Sequence, residues 1–224
     1  MKNYIQTKNS QKKMFRINGI NLEIKEEMPY NINVEEVIDK VTTIIPANML
    51  SLIKNIKIGN FPALQDRDLD ALYKDNTIYL TNFQDSNEDM LDDIIHEVAH
   101  SVEEKYHSLI YSDDKIEKEF LLKRKHLKRK LESEGFFIDD KKYKMLRYDR
   151  EFDIFLYEEV GYDALETLTA GLFYSPYAAT SLREYFANGF ENLFIEEESY
   201  QILRKMCPKL FEKLIQLLSM EENN

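Results

Sequence analysis

The chain has 224 residues, 43% of them hydrophobic and 12% aromatic, enough apolar material for a packed core and too much for a disordered tail. Its 41 acidic residues outnumber 30 basic ones, and the formal net charge of −11 argues against a general phosphate-binding surface. Cys207 is the only cysteine, which excludes an intramolecular disulfide and a Cys-rich zinc site.

Met1 to Lys13 is polar and has no apolar stretch of the secretory type. No run approaches the roughly 18–20 apolar residues that span a membrane, so a cytoplasmic protein is the expectation, with leaderless export or delivery within a larger toxin left open. Two alternating runs from Met14 to Ile24 flank Asn18-Gly19 and predict a hairpin. Asn33 followed by Glu36 predicts a capping box that opens a helix to about Ile44, before Pro46. Residues 52–58 alternate as a strand ended by Gly59, residues 59–76 read as a loop, and Thr77-Ile78-Tyr79-Leu80-Thr81 reads as another short strand.

Ser86 with Asp89 then caps a helix whose apolar residues Leu91, Ile94, Ile95, Val98 and Val102 follow the i, i+3, i+4 rule. A strongly charged helix is expected from Ser112 to about Glu134, with Ile116, Phe120, Leu127 and Leu131 as its apolar stripe and Gly135 as its end. Its basic run 123–130 reads as a solvated face offset by Glu117, Glu119, Glu132 and Glu134, in preference to a nucleic-acid contact. Residues 136–160 are aromatic and acidic and predict further helix. A second cluster runs from Tyr162 to Phe173, another helix from Ser181 to Phe194, and a last one follows Pro208. There is no internal repeat and no low-complexity linker.

The chemistry concentrates in His96-Glu97-Val98-Ala99-His100, an HExxH motif inside the amphipathic helix. Histidines four apart stand one above the other on a helical face, so both imidazoles can reach one Zn²⁺, with the intervening Glu97 beside the metal's water as general base. Both lie at the border of the buried face, where a bridge to another element would sit. A catalytic zinc needs a third protein ligand. A His ten residues after His96 would complete a metzincin site, but that position is Tyr106, Glu103 stands where a Gly is needed, and His107 is one residue off. The other completion is a downstream Glu. Glu184 in Ser181-Leu182-Arg183-Glu184-Tyr185-Phe186-Ala187-Asn188-Gly189-Phe190 is the best placed: Leu182, Phe186, Phe190 and Leu193 form an apolar face, and Ala187 and Gly189 permit close helix contact. The same Glu184 could instead be the N3 partner of a Ser181 capping box, and Glu166 is an alternative ligand.

These motifs resemble the anthrax lethal factor-like zinc peptidases, gluzincin-type zincins that include the clostridial Pro-Pro endopeptidases. Helix, strands and then a histidine helix is also the order of a zincin upper half. The family's second motif is Glu-aromatic-Phe-Ala-Glu, matched here by Glu184-Tyr185-Phe186-Ala187, with Tyr177 seven residues earlier. The resemblance implies Glu184 as third zinc ligand and Tyr177 as a catalytic hydroxyl, with Tyr174 and Tyr185 as reserves for that role. Cys207-Pro208 also looks like the tail of the secreted members. The match covers His96–His100 and about Tyr177–Leu218, under half of the chain. It departs at Asn188, where the family has Glu, and in a longer gap that implies a helical insertion at about 106–165. An amide oxygen at Asn188 could still accept a hydrogen bond from a ligand histidine.

The expectation is an α+β zincin-like metallopeptidase, mostly helical with a small N-terminal sheet, as a single domain over 1–224. It would bind one Zn²⁺ through His96, His100 and Glu184 and hydrolyse an extended polypeptide lying beside the 77–81 strand. Glu97 would be the base and Tyr177 an oxyanion donor. The partner is a protein or peptide substrate, with no membrane and no nucleic acid. The alternative is a zinc-binding scaffold of little or no turnover that acts as a protein-binding module; a third reading takes the motif as incidental in a nucleic-acid-associated helical protein. Cys207 reads as a packing residue, and Phe152, Phe155, Tyr157 and Tyr162 as core that could also roof the cleft.

Overall fold

The structure, a computed structural model, describes residues 13–17, 19–65, 69–195 and 197–221. The first twelve residues, Asn18 of the expected turn and residues 66–68 of the expected loop lie outside that set. The protein is α+β: a small mixed N-terminal sheet and a mostly helical remainder. It divides into two compact units, Met1–Val98 and Ala99–Asn224, with the cut falling inside one long helix.

In the first unit, β1 (Lys13–Ile17) and β2 (Ile20–Ile24) form the expected antiparallel hairpin, with Gly19 at φ +90°, where a side chain would be strained. α1 (Val34–Ile44) opens on Asn33, whose side chain accepts from the Glu36 N–H. It buries Val34, Val37, Ile38 and Val41 at helical spacing. After the short α2 (Ala47–Leu50), β3 (Asn55–Ile58) runs parallel to β2. The segment expected as a loop contains α3 (Pro62–Gln65) and a strand, β4 (Ala71–Lys74). β4 turns back into β5 (Thr77–Leu80) through Asp75 and Asn76, both at positive φ, the two-residue turn whose twist matches an antiparallel pair.

The sheet order is β1-β2-β3-β5-β4. β5 is therefore paired on both sides, parallel to β3 and antiparallel to β4. This corrects the expectation of a substrate beside 77–81. The ladder positions there are already filled, and among the described residues β4 is the strand at that edge. The sheet interior is aliphatic: Leu22, Ile56, Ile58, Ile78 and Leu80 are buried, each contributing about 1.5–3 kcal/mol.

α4 (Asn87–Tyr111) begins where Ser86 Oγ accepts from the Asp89 N–H. Its predicted apolar stripe, Leu91, Ile94, Ile95, Val98 and Val102, is buried throughout. Tyr106 breaks the helical dihedrals near its end.

The second unit follows with α5 (Lys115–Ser133), whose Ile116, Phe120, Leu127 and Leu131 are buried as the stripe predicts; Gly135 just beyond it has φ +90°. Residues 136–160 are less regular than expected. They hold a short 3₁₀ turn (Lys142–Lys144), α6 (Arg150–Ile154) and a π-helical stretch (Phe155–Gly161) that leads into α7 (Tyr162–Thr169). α8 (Leu182–Ile195), α9 (Glu197–Met206) and α10 (Pro208–Glu221) complete the unit. Gly189 does permit a close helix contact, and its partner is Leu210 of α10, which a Cβ at 189 would strike. Among the described residues no helix is long and apolar enough to cross a membrane.

The basic run on α5 is only partly the expected solvated face: Lys125, His126 and Arg129 are exposed and Lys128 pairs with Glu132 at 3.2 Å, but the remaining cations turn to main-chain carbonyls. Lys123 donates to the carbonyls of Leu172 (2.6 Å) and Met206 (2.7 Å), and Lys130 to those of Leu168 (2.9 Å) and Ala170 (3.3 Å). Arg124 is buried and donates to four carbonyls, those of Lys142, Met145, Ala179 and Thr180, with its guanidinium against the rings of Phe120 and Phe152. Irregular segments leave carbonyls without ladder partners, and a fork of N–H donors satisfies several at once.

Candidate metal centre

α4 presents His96 half-buried, with Glu97 and His100 buried. In the first unit, the Glu97 carboxylate accepts a hydrogen bond from the backbone N–H of Tyr73 in β4. The Thr81 N–H bonds the Asp70 carbonyl, which sets the ladder phase: Leu72 and Lys74 face β5, while the Tyr73 N–H faces outward from the sheet. Tertiary structure thus gives Glu97 a fixed backbone donor. One turn before it, Asp93 accepts from Gln84 Nε2 at 3.1 Å. Burial pushes the Asp93 carboxyl up to about 7, with the charges of Asp70 and Glu97 adding to that and the Gln84 hydrogen bond and His96 opposing it.

In the second unit, His100 Nε2 lies 3.5 Å from Glu184 Oε2. Ser181 Oγ accepts from the Glu184 backbone N–H at 3.2 Å, so the serine cap uses the main chain of Glu184 while its carboxylate reaches the histidine. The opposite ring nitrogen, His100 Nδ1, accepts from Arg183 Nε at 3.0 Å and lies 3.8 Å from Glu103 Oε2. Glu103 is buried; its Oε1 accepts from the Tyr111 hydroxyl at 2.7 Å and its Oε2 lies 3.4 Å from Arg183 Nε. Burial and the Glu103 carboxylate both push the Tyr111 hydroxyl upward, so it stays a donor.

His96, His100 and Glu184 each offer one ligand atom, and these atoms all lie within 4.8 Å of one another. Two imidazoles and one carboxylate are the His₂Glu donor set of catalytic zinc. Asn188, one turn after Glu184 on α8, has a buried Oδ1 with no hydrogen-bond partner. The residues present therefore fit such an ion. Glu166 on α7 is exposed and His107 packs edge-on against the Tyr111 ring; neither belongs to the cluster.

Tyr177 opens a 3₁₀ turn (Tyr177–Ala179) just before α8, with its side chain about one-third exposed. The turn is held from α5, since two of the four Arg124 bonds go to Ala179 and Thr180. The reserve tyrosines are engaged elsewhere: Tyr174 with Ser199 Oγ at 2.6 Å, and buried Tyr185 with Glu119 Oε1 at 2.8 Å. Phe152 and Phe155 are core, whereas Tyr162 is exposed and stacks on Tyr157. Cys207 is buried, which raises its thiol, as a packing residue requires.

Glu103, Arg183 and Arg124 escaped the sequence reading. Glu103 had a usable signal, since it follows His100 by three residues on one helix face. Arg183 and Arg124 had none, because their partners are distant in sequence. Comparison with protein-family models, curated proteins and solved structures finds no match.

Proposed function

We propose that the chain is a zinc-dependent endopeptidase of the zincin type, cutting peptide bonds in an extended polypeptide. The observation that carries this reading is the convergence of His96, His100 and Glu184, with ligand atoms within 4.8 Å, next to a glutamate in the HExxH position. His96, His100 and Glu184 would hold the zinc, which would supply Lewis acidity to polarise a carbonyl and acidify a water. The chain's own groups do the remaining work. Glu97, oriented by the Tyr73 N–H, accepts the proton of the attacking water and returns it to the leaving amine. The Tyr177 hydroxyl donates to the developing oxyanion from a turn that Arg124 holds in place. The substrate main chain extends beside the β4 edge, the sheet edge next to Glu97.

Metal analysis of the purified protein beside His96→Ala and Glu184→Ala tests the ligand set. One zinc per wild-type chain is expected, with tight stoichiometric binding lost in both variants. Tight zinc in Glu184→Ala would remove Glu184 from the site.

A further inference from the structure

His100 has two ring nitrogens with different neighbours, and only one arrangement of its proton suits a metal. Arg183 Nε carries a permanent proton and donates it to His100 Nδ1 at 3.0 Å, so the neutral ring keeps its own proton on Nε2. Nε2 is the nitrogen 3.5 Å from the Glu184 carboxylate, the side on which the ligand atoms gather. A metal on Nε2 requires that nitrogen bare. The Nε2 proton leaves to solvent and one from solvent arrives at Nδ1, so the ring stays neutral and no net proton is exchanged. Nδ1–H then faces the Arg183 Nε–H, donor against donor. The acceptor at hand is Glu103 Oε2, 3.8 Å from Nδ1 on the next turn of α4.

We propose that Glu103 is the positioning residue of the metal centre, the carboxylate that accepts from His100 Nδ1–H when the ion is held on Nε2. This rests on the zinc reading above. Glu103 is built for the role. It is buried, its far oxygen is anchored by the Tyr111 hydroxyl at 2.7 Å, and Arg183 Nε at 3.4 Å balances its charge on the near side. A carboxylate on the remote nitrogen of a ligand histidine fixes ring orientation and tautomer and strengthens the metal bond; its loss costs roughly 10–100-fold in affinity. Arg183, about half exposed, can swing aside.

The test compares zinc affinity, by competition with a chromophoric chelator, in wild type, Glu103→Gln and Glu103→Ala. Long-range ¹H–¹⁵N spectra of the His100 ring are recorded with and without zinc. The expected result is a drop of about tenfold for Gln and up to about 100-fold for Ala, together with a wild-type shift from the Nε2–H to the Nδ1–H tautomer on zinc addition. A merely structural Glu103 would lower the thermal midpoint of the metal-free variants and leave the Nδ1–H resonance of the zinc-loaded His100 ring as in wild type, whereas a positioning Glu103 shifts that resonance in Glu103→Gln. Unchanged zinc affinity in both variants, or a zinc-loaded ring still unprotonated at Nδ1, overturns the proposal while leaving the metal site standing. Wild-type protein that takes up no zinc overturns both.

Discussion

Glu97 follows His96 in the sequence and accepts from a backbone N–H in space, and glutamine at this site can still accept from the Tyr73 N–H through its amide oxygen. Glu97→Gln therefore keeps zinc at wild-type stoichiometry and loses at least about 10²-fold in peptide hydrolysis, read with a quenched peptide library on protease-free protein. Retained hydrolysis would remove Glu97 as the base. In the proposed mechanism Tyr177 contributes a hydroxyl alone. For Tyr177→Phe the expected loss is about 10²-fold in kcat with KM little changed, since a donor to the oxyanion acts only in the transition state. A KM effect with kcat intact would make Tyr177 a substrate-binding residue instead.

At the scale of elements, α4 carries a half-buried and α5 a buried polar group whose energetics are testable. Asp93 on α4 has its carboxyl pushed up to about 7, chiefly by burial. The folded state thus holds this proton more tightly than the unfolded chain, so the associated stability is present at low pH and is lost as pH rises from the ordinary carboxylate range through about 7. Metal-free Asp93→Asn should match wild type near pH 4 and exceed it by about 2 kcal/mol at pH 8, in urea unfolding series at the two pH values. Equal slopes would place the Asp93 proton elsewhere. On α5, Arg124 donates to four carbonyls from two irregular segments; burial brings its guanidinium down to about 9, still charged at neutral pH. Arg124→Leu removes these four hydrogen bonds and is expected to cost about 3–5 kcal/mol in the same assay.

For the whole molecule, the proposed ion makes stability a function of metal concentration. An ion that binds only the folded chain stabilises it by about 2.7 kcal/mol at 100 times its Kd, which for a protein of this size raises Tm by about 5–10 °C. Chelation should remove that increment in wild type and leave His96→Ala unmoved, as read by differential scanning fluorimetry. A wild-type Tm indifferent to chelator would count against a tight site.

The sequence by itself determined what depends on neighbours within one or two turns. The α1 cap at Asn33, the buried stripes of α4 and α5 and the stacking of His96 over His100 all follow from 3.6-residue periodicity. The α+β class followed from the same signals. The tertiary structure alone decided which strand forms the sheet edge, because Ala71–Lys74 is too short and weakly patterned to declare itself until Asp75-Asn76 folds it onto β5. It likewise decided that Lys123 and Arg124 are buried against carbonyls up to 83 residues away, where charge composition suggests a wet face. It also set the two sides of His100, Glu184 on one nitrogen and Arg183 with Glu103 on the other. Hydrogen-bond partners far apart in the chain leave no periodic trace, since nothing local fixes where their side chains meet.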